Sequence, residues 1–132
     1  MMFSTPISGV SKTNTVTFTS ASGNANDVVI GLGGVALTLS DAEHLVFKNL
    51  TFGDTVGNTT YAVQLMGMCN NIEIKECNIY TSITTTSSSY VAVYCSNVNM
   101  PKYLKDIRIL NNNIRGGYYN MYMFGSHSTL CK

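Results

Sequence analysis

The side chains of this 132-residue chain that could do acid, base or metal chemistry are few and scattered. The carboxylates are Asp27, Asp41, Glu43, Asp54, Glu73, Glu76 and Asp106, and the histidines are His44 and His127. A histidine works as a general base when a partner orients it and a nucleophile lies within reach. Neither histidine has an Asp or Ser at a telling spacing, so both stand as unsupported candidates. The cysteines Cys69, Cys77, Cys95 and Cys131 lie 8, 18 and 36 residues apart. With no C-x-x-C and no histidine at ligand spacing, a zinc site is disfavoured. They read as small buried apolar residues, with a Cys69 to Cys77 disulfide left open by spacing alone. Gly31-Leu32-Gly33-Gly34 precedes a strand pattern and no helix, so it reads as a β-turn and not as a phosphate cradle. No metal or cofactor is expected.

The denser chemistry is aromatic. Six of the eight tyrosines, Tyr61, Tyr90, Tyr94, Tyr118, Tyr119 and Tyr122, fall in or beside one row of strand-like segments. Aligning Val63 with Val91 and Met121 sends Gln64, Ala92 and Tyr122 outward in one file, with Ala62, Tyr90 and Asn120 in the next. Flat, partly apolar rings beside amides can stack on sugar faces and bond hydroxyls. The candidate binding residues are therefore Tyr90, Tyr122, Gln64 and Asn120, with Tyr61 and Tyr119 at the loop edge. Tyrosine also has high strand propensity and can stack for stability alone, and the pattern does not choose between these roles.

The elements that would position these residues are repeats. Leu45-Val46-Phe47-Lys48-Asn49-Leu50-Thr51-Phe52, Ile72-Glu73-Ile74-Lys75-Glu76-Cys77-Asn78-Ile79 and Ile107-Arg108-Ile109-Leu110-Asn111-Asn112-Asn113-Ile114 superimpose without gaps, apolar at positions 1, 3 and 8. Alternation marks a strand with one inward face. The Asn-rich break marks a corner, because Asn tolerates the left-handed conformation and bonds backbone. Asn111, Asn112 and Asn113 are expected at the corner, with Asn49 and Asn78 at related ones. A weaker row of alternating segments precedes each repeat, at Val35 to Leu39, Ala62 to Leu65, Tyr90 to Tyr94 and Asn120 to Phe124. Thr15 to Thr19 and Asp27 to Ile30 can supply one more coil around a Ser22-Gly23-Asn24 turn.

Composition sets the outer bounds. Charged residues are 11% of the chain, against about 25% in ordinary domains. Ser, Thr and Asn supply 42 of the 132 positions and must make the solvated surface. Leu, Ile, Val and Phe number 34, which with a net charge of +1 excludes disorder. No apolar run approaches the ~18 residues of a membrane span, and the scattered basic residues give no nucleic-acid footprint. The opening Met1-Met2-Phe3-Ser4-Thr5-Pro6 does not read as a secretory leader. One domain over 1–132 is expected, with an opening coil over 1–34, repeat coils over 35–125 and a truncated end over 126–132. Open coil ends would favour end-to-end or side-by-side self-association.

The unit Asn71-Ile72-Glu73-Ile74-Lys75-Glu76-Cys77-Asn78-Ile79, preceded by a strand and a short loop, resembles the right-handed parallel β-helix of the pectin-lyase-like proteins. The resemblance covers roughly residues 35 to 125. It implies an all-β solenoid of about four coils, as a whole or as a fragment of a longer helix, and it says little about activity. In the polygalacturonase-like members, catalytic carboxylates stand at the start of the first strand of successive coils. The matching stretches here are Gly57-Asn58-Thr59-Thr60-Tyr61, Ser87-Ser88-Ser89-Tyr90 and Gly116-Gly117-Tyr118-Tyr119-Asn120, without Asp, Glu or His. A lyase would need acidic calcium ligands near a base; Lys75 and Arg108 flank one strand row without such a cluster, and Glu73 opposite Arg108 reads as a surface pair. The expected function is a β-helix module of an exported bacterial protein, extracellular or on the cell surface, structural or contacting polysaccharide, without catalytic residues of its own. The alternative is a fragment of a polysaccharide lyase or glycoside hydrolase whose catalytic coils lie elsewhere.

Overall fold

In a computed structural model of the chain, the described residues are 1–4, 6–31, 33–96 and 104–124. His127, Cys131 and the segment 126–132 lie outside them. The strands are β1 (Met2–Phe3), β2 (Val16–Thr19), β3 (Val29–Ile30), β4 (Gly34–Ser40), β5 (Glu43–Lys48), β6 (Thr51–Gly53), β7 (Thr59–Met66), β8 (Cys69–Lys75), β9 (Asn78–Tyr80), β10 (Val91–Ser96), β11 (Leu104–Leu110), β12 (Asn113–Arg115) and β13 (Tyr119–Phe124). They form three sheets of parallel strands. Sheet 1 runs β1-β4-β7-β10-β13, sheet 2 runs β2-β5-β8-β11 and sheet 3 runs β3-β6-β9-β12. From β2 onward the chain visits sheets 2, 3 and 1 in strict rotation, which makes a parallel β-solenoid. β1 is the one strand that the sequence pattern does not show, because two residues carry no alternation.

The inward residues stack in register. Leu45 pairs with Ile72 and Ile72 with Ile107; Phe47 pairs with Ile74 and Ile74 with Ile109; Phe52 pairs with Ile79 and Ile79 with Ile114. These are the ladders expected from positions 1, 3 and 8. Val16, Phe18 and Ile30 extend them at the other end, and Leu37-Val63-Val93 and Leu39-Leu65-Cys95 line sheet 1. Phe18 and Phe47 stack at 5.2 Å, Phe3 closes on both rings at 5.1 and 5.9 Å, and Phe52 meets Phe47 edge-on. The N-terminal segment therefore covers one end of the apolar interior, and the Met1 ammonium donates to the Ala36 carbonyl at 2.9 Å. Cys69 and Cys77 are buried thiols, not a disulfide. Burial pushes both above the ordinary thiol range, so they stay protonated at neutral pH.

The corners are built from left-handed residues in two columns. His44, Asn71 and Asp106 have φ of 58°, 52° and 52°, and Asn49, Glu76 and Asn111 have 52°, 54° and 54°. Four residues separate the two columns in these three repeats, so β5, β8 and β11 are bent at the same two places, whereas β2 has no left-handed residue at either end. For residues with a Cβ this conformation costs roughly 1–2 kcal/mol. Asn49 and Asn111 stand where expected. Asn78 does not: it begins β9, aligned with Thr51 and Asn113, and Glu76 takes the left-handed position. Asn78 instead joins a polar row, donating to the Thr51 hydroxyl at 3.1 Å and to Asn26 at 3.0 Å. At the next position Asn112 turns inward to the neighbouring repeat. Its carbonyl accepts from the Cys77 N–H at 2.9 Å and its amide donates to the Ile74 carbonyl at 2.8 Å.

Two stability experiments follow from this packing. Ile74 is fully buried between Phe47 and Ile109, so Ile74→Asp places an unpaired carboxylate in the core, at a cost of several kcal/mol against a total of about 5–15 kcal/mol. Loss of the cooperative thermal melt is expected; a retained melt would remove the ladder argument. Asn112→Ala should cost about 1–3 kcal/mol in a urea titration, since it strands two backbone groups. Asn113→Ala should cost less, because its amide bonds only the exposed Tyr80 hydroxyl and the Asn78 side chain.

Candidate binding face

The tyrosines gather on the outer side of sheet 1. Tyr61 and Tyr94 stack at 4.3 Å with planes 15° apart, and Tyr94 and Tyr122 at 5.8 Å and 13°. Tyr119 then tilts 45° against Tyr122 at 5.6 Å, and Tyr118 meets Tyr119 edge-on at 4.8 Å. Strand pitch explains the stack of Tyr94 and Tyr122, because parallel strands about 4.8 Å apart bring register partners to near stacking distance. Tyr61 is the register partner of Val91 and reaches Tyr94 from three positions earlier on β7. The rings differ in access. Tyr118, Tyr119 and Tyr122 are 53%, 42% and 38% exposed, whereas Tyr61 and Tyr94 are half-buried. Burial, with Tyr94 beside it, pushes the Tyr61 phenol above its ordinary value.

The register differs by two residues from the alignment that selected the candidates. Val63 pairs with Val93, and Val93 with Met121. Gln64 therefore lies opposite Tyr94 and next in line to Tyr122, with the Thr38 hydroxyl 3.5 Å from its carbonyl. Tyr94, not Ala92, completes the outward file. Ala62 and Ala92 are fully buried, as is Ala36; Gly31 packs against Ala36, and Gly53 against the Tyr80 carbonyl and the Thr59 methyl, so closely that a side chain at either glycine would not fit. Asn120 falls alongside Ala92 by the same register and belongs to this alanine file, although in β13 it is exposed. Tyr90 precedes β10, and its carbonyl accepts from the Tyr118 N–H at 2.8 Å. The structure thus brings together Tyr61, Gln64, Tyr119 and Tyr122, adds Tyr94 and Tyr118, and leaves Tyr90 and Asn120 outside the ring stack. The missed signal was the repeat of apolar Val-x-Leu, Val-x-Cys and Met-x-Met, which fixes the register where a single Val does not.

The charged chemistry lies on sheet 2. Glu73 meets Lys75 at 2.6 Å and Arg108, its cross-strand partner, at 3.5 Å, while Lys48 meets Glu76 at 3.2 Å. The hydrogen bond from Lys75, with a further one from Arg108, holds the Glu73 carboxyl below the usual carboxylate range. Other acids serve turns: Asp54 accepts from the Gly57 N–H, Asp41 from Met68 and Ser40, and Asp27 from Ser22 and Asn24. His44 lies 3.0 Å from the Asn71 amide through Nδ1 and 4.0 Å from Glu43 through Nε2. This pairing joins two members of one left-handed column, so the corner accounts for it. Among the described residues no three His, Cys, Asp or Glu side chains gather as a metal ion would require. No helix among them is long and apolar enough to cross a membrane.

Compared with known proteins, the chain matches no family model, no curated protein and no solved structure.

Because its folded value is depressed, Glu73 stabilises the fold above its ordinary pKa of about 4.3, and that contribution is lost as pH falls through the folded value. Glu73→Gln should lower stability at pH 7 by no more than about 1 kcal/mol, as a solvent-screened pair requires. The difference should vanish in acid. Urea midpoints of both proteins across the acidic range check the sign; a difference that grows on acidification would contradict it.

Proposed function

We propose that this chain is a module of a right-handed parallel β-helix of the pectin-lyase-like kind, with about four coils, from an exported bacterial protein. On this reading it contacts polysaccharide through the tyrosine-bearing face of sheet 1 and does not turn it over. The observation that carries the proposal is the cluster of Tyr118, Tyr119 and Tyr122, in which tilted planes leave ring faces open to solvent. Tyr61 and Tyr94 lie parallel at 4.3 Å and are half-buried, so that pair supports the sheet. The tilted end offers apolar faces beside the phenol hydroxyls, and Gln64 and Thr38 supply an amide and a hydroxyl further along the file. The acids speak against turnover. Glycoside hydrolysis normally uses two carboxyls about 5–10 Å apart across the bond, and here most carboxylates hold turns or ion pairs away from this face.

A glycan panel, run with reducing-sugar and unsaturated-product assays, tests the proposal. Binding without product is expected. Tyr119→Ala and Tyr122→Ala should each weaken binding about two- to tenfold, the equivalent of losing one aromatic contact of about 0.5–1.5 kcal/mol, with an unchanged circular dichroism spectrum. Turnover that survives both substitutions but is lost on replacing Glu73 or Asp106 would overturn the reading in favour of an enzyme fragment.

A further inference from the structure

The outward faces of sheets 1 and 2 differ in one property that selects among glycans. None of the strands of sheet 1, β1, β4, β7, β10 and β13, holds a charged residue. The cations Lys48, Lys75, Lys105 and Arg108 all stand on sheet 2, where the first two and Arg108 are engaged by Glu76 and Glu73. We infer, resting on the polysaccharide reading above, that the ligand of the tyrosine face is an uncharged polysaccharide and not a uronate. A carboxylate brought against these rings would lose hydration and find, among the described residues, no cationic residue on the strands of sheet 1 to replace it. A pyranose without charge gives up little: its C–H faces meet the rings, and its hydroxyls exchange water for phenol, amide and threonine hydroxyl groups. Asp41 and Asp54, which flank sheet 1 strands, are turned onto the backbone at Met68 and Gly57. Arg115, three residues before Tyr118, belongs to sheet 3 and is the one cation near the cluster in sequence.

Affinity electrophoresis of the full chain separates the outcomes. The gels contain uncharged polymers (hydroxyethyl cellulose, galactomannan, soluble starch) or carboxylated ones (carboxymethyl cellulose, polygalacturonate, alginate). At least one uncharged polymer should retard the protein, and raising the salt should change that retardation by less than about twofold, since no ion pair is being screened. The Tyr119→Ala, Tyr122→Ala double substitution should abolish it, and quenching of tyrosine emission in the unsubstituted protein, which has no tryptophan, should follow the same polymers. Retardation only by carboxylated polymers, weakened by salt and by Arg115→Gln or Arg108→Gln, would overturn the uncharged ligand while leaving a carbohydrate-binding module. Retardation by an uncharged polymer that the double substitution leaves intact would overturn the face. No retardation and no quenching with any polymer would overturn this inference together with the function it rests on.

Discussion

Every round of this chain must return to the same height above the previous one with the same side chains pointing inward. Parallel strands in a solenoid bond only to their equivalents one round away, so a slip of one residue would turn an entire ladder outward. The interior ladders enforce that register: Phe47 over Ile74 over Ile109 is stable only if the neighbouring ladders on the other two sheets also stay aligned. Length differences accordingly fall mostly in the loops, with one extra residue, Thr60, accommodated as a bulge at the start of β7 against β4. The segments from Asp54 to Asn58 and from Thr81 to Tyr90 differ in length, yet the strands that follow them, β7 and β10, pair without a shift.

The left-handed columns are the mechanical counterpart of the ladders. A strand that must turn twice within one round needs sharp bends at fixed places, and six non-glycine residues supply them on either side of sheet 2. Several of these side chains make the bend useful by bonding the neighbouring repeat or its charges, as Asn71 does with His44 and Glu76 with Lys48. Asn112 goes further and satisfies a donor and an acceptor of the preceding round with one amide. The backbone strain of the corners is thus offset by contacts that exist only when the rounds are stacked.

The same stacking creates an outer face on each of the three sheets. Because each outward position is repeated at about 4.8 Å, residue types become files, and a face acquires one chemical character over its whole length. On sheet 2 the files are ionic and close upon themselves through Glu73. Sheet 1 carries rings and uncharged polar groups, and its rings are most open where they tilt at Tyr118 and Tyr119. Chemical character then belongs to a face more than to any single residue on it.

Much of the fold was legible because it is local and periodic. Apolar residues at positions 1, 3 and 8 dictate an alternating strand, a corner and a second strand wherever they occur, and their repetition dictates parallel stacking. The chain alone therefore determined the three ladders, the corner at Asn49 and Asn111, and the burial of Cys69, Cys77 and Cys95. It did not determine which of three consecutive polar residues would bend: Glu76, a poor left-handed residue by type, bends because its neighbours in the column do, and Asn78 is left to the polar row. Nor did it determine the register of sheet 1. Val91 and Val93 are equivalent to a pattern read one segment at a time, and only simultaneous packing of Leu65 with Cys95 and Val63 with Val93 chooses between them. That choice moved Tyr94 into the outward file and Ala92 out of it. Side-chain files across a solenoid are properties of the stack, so the identity of the face was decided by tertiary structure, while the residues available to build it were set by the sequence.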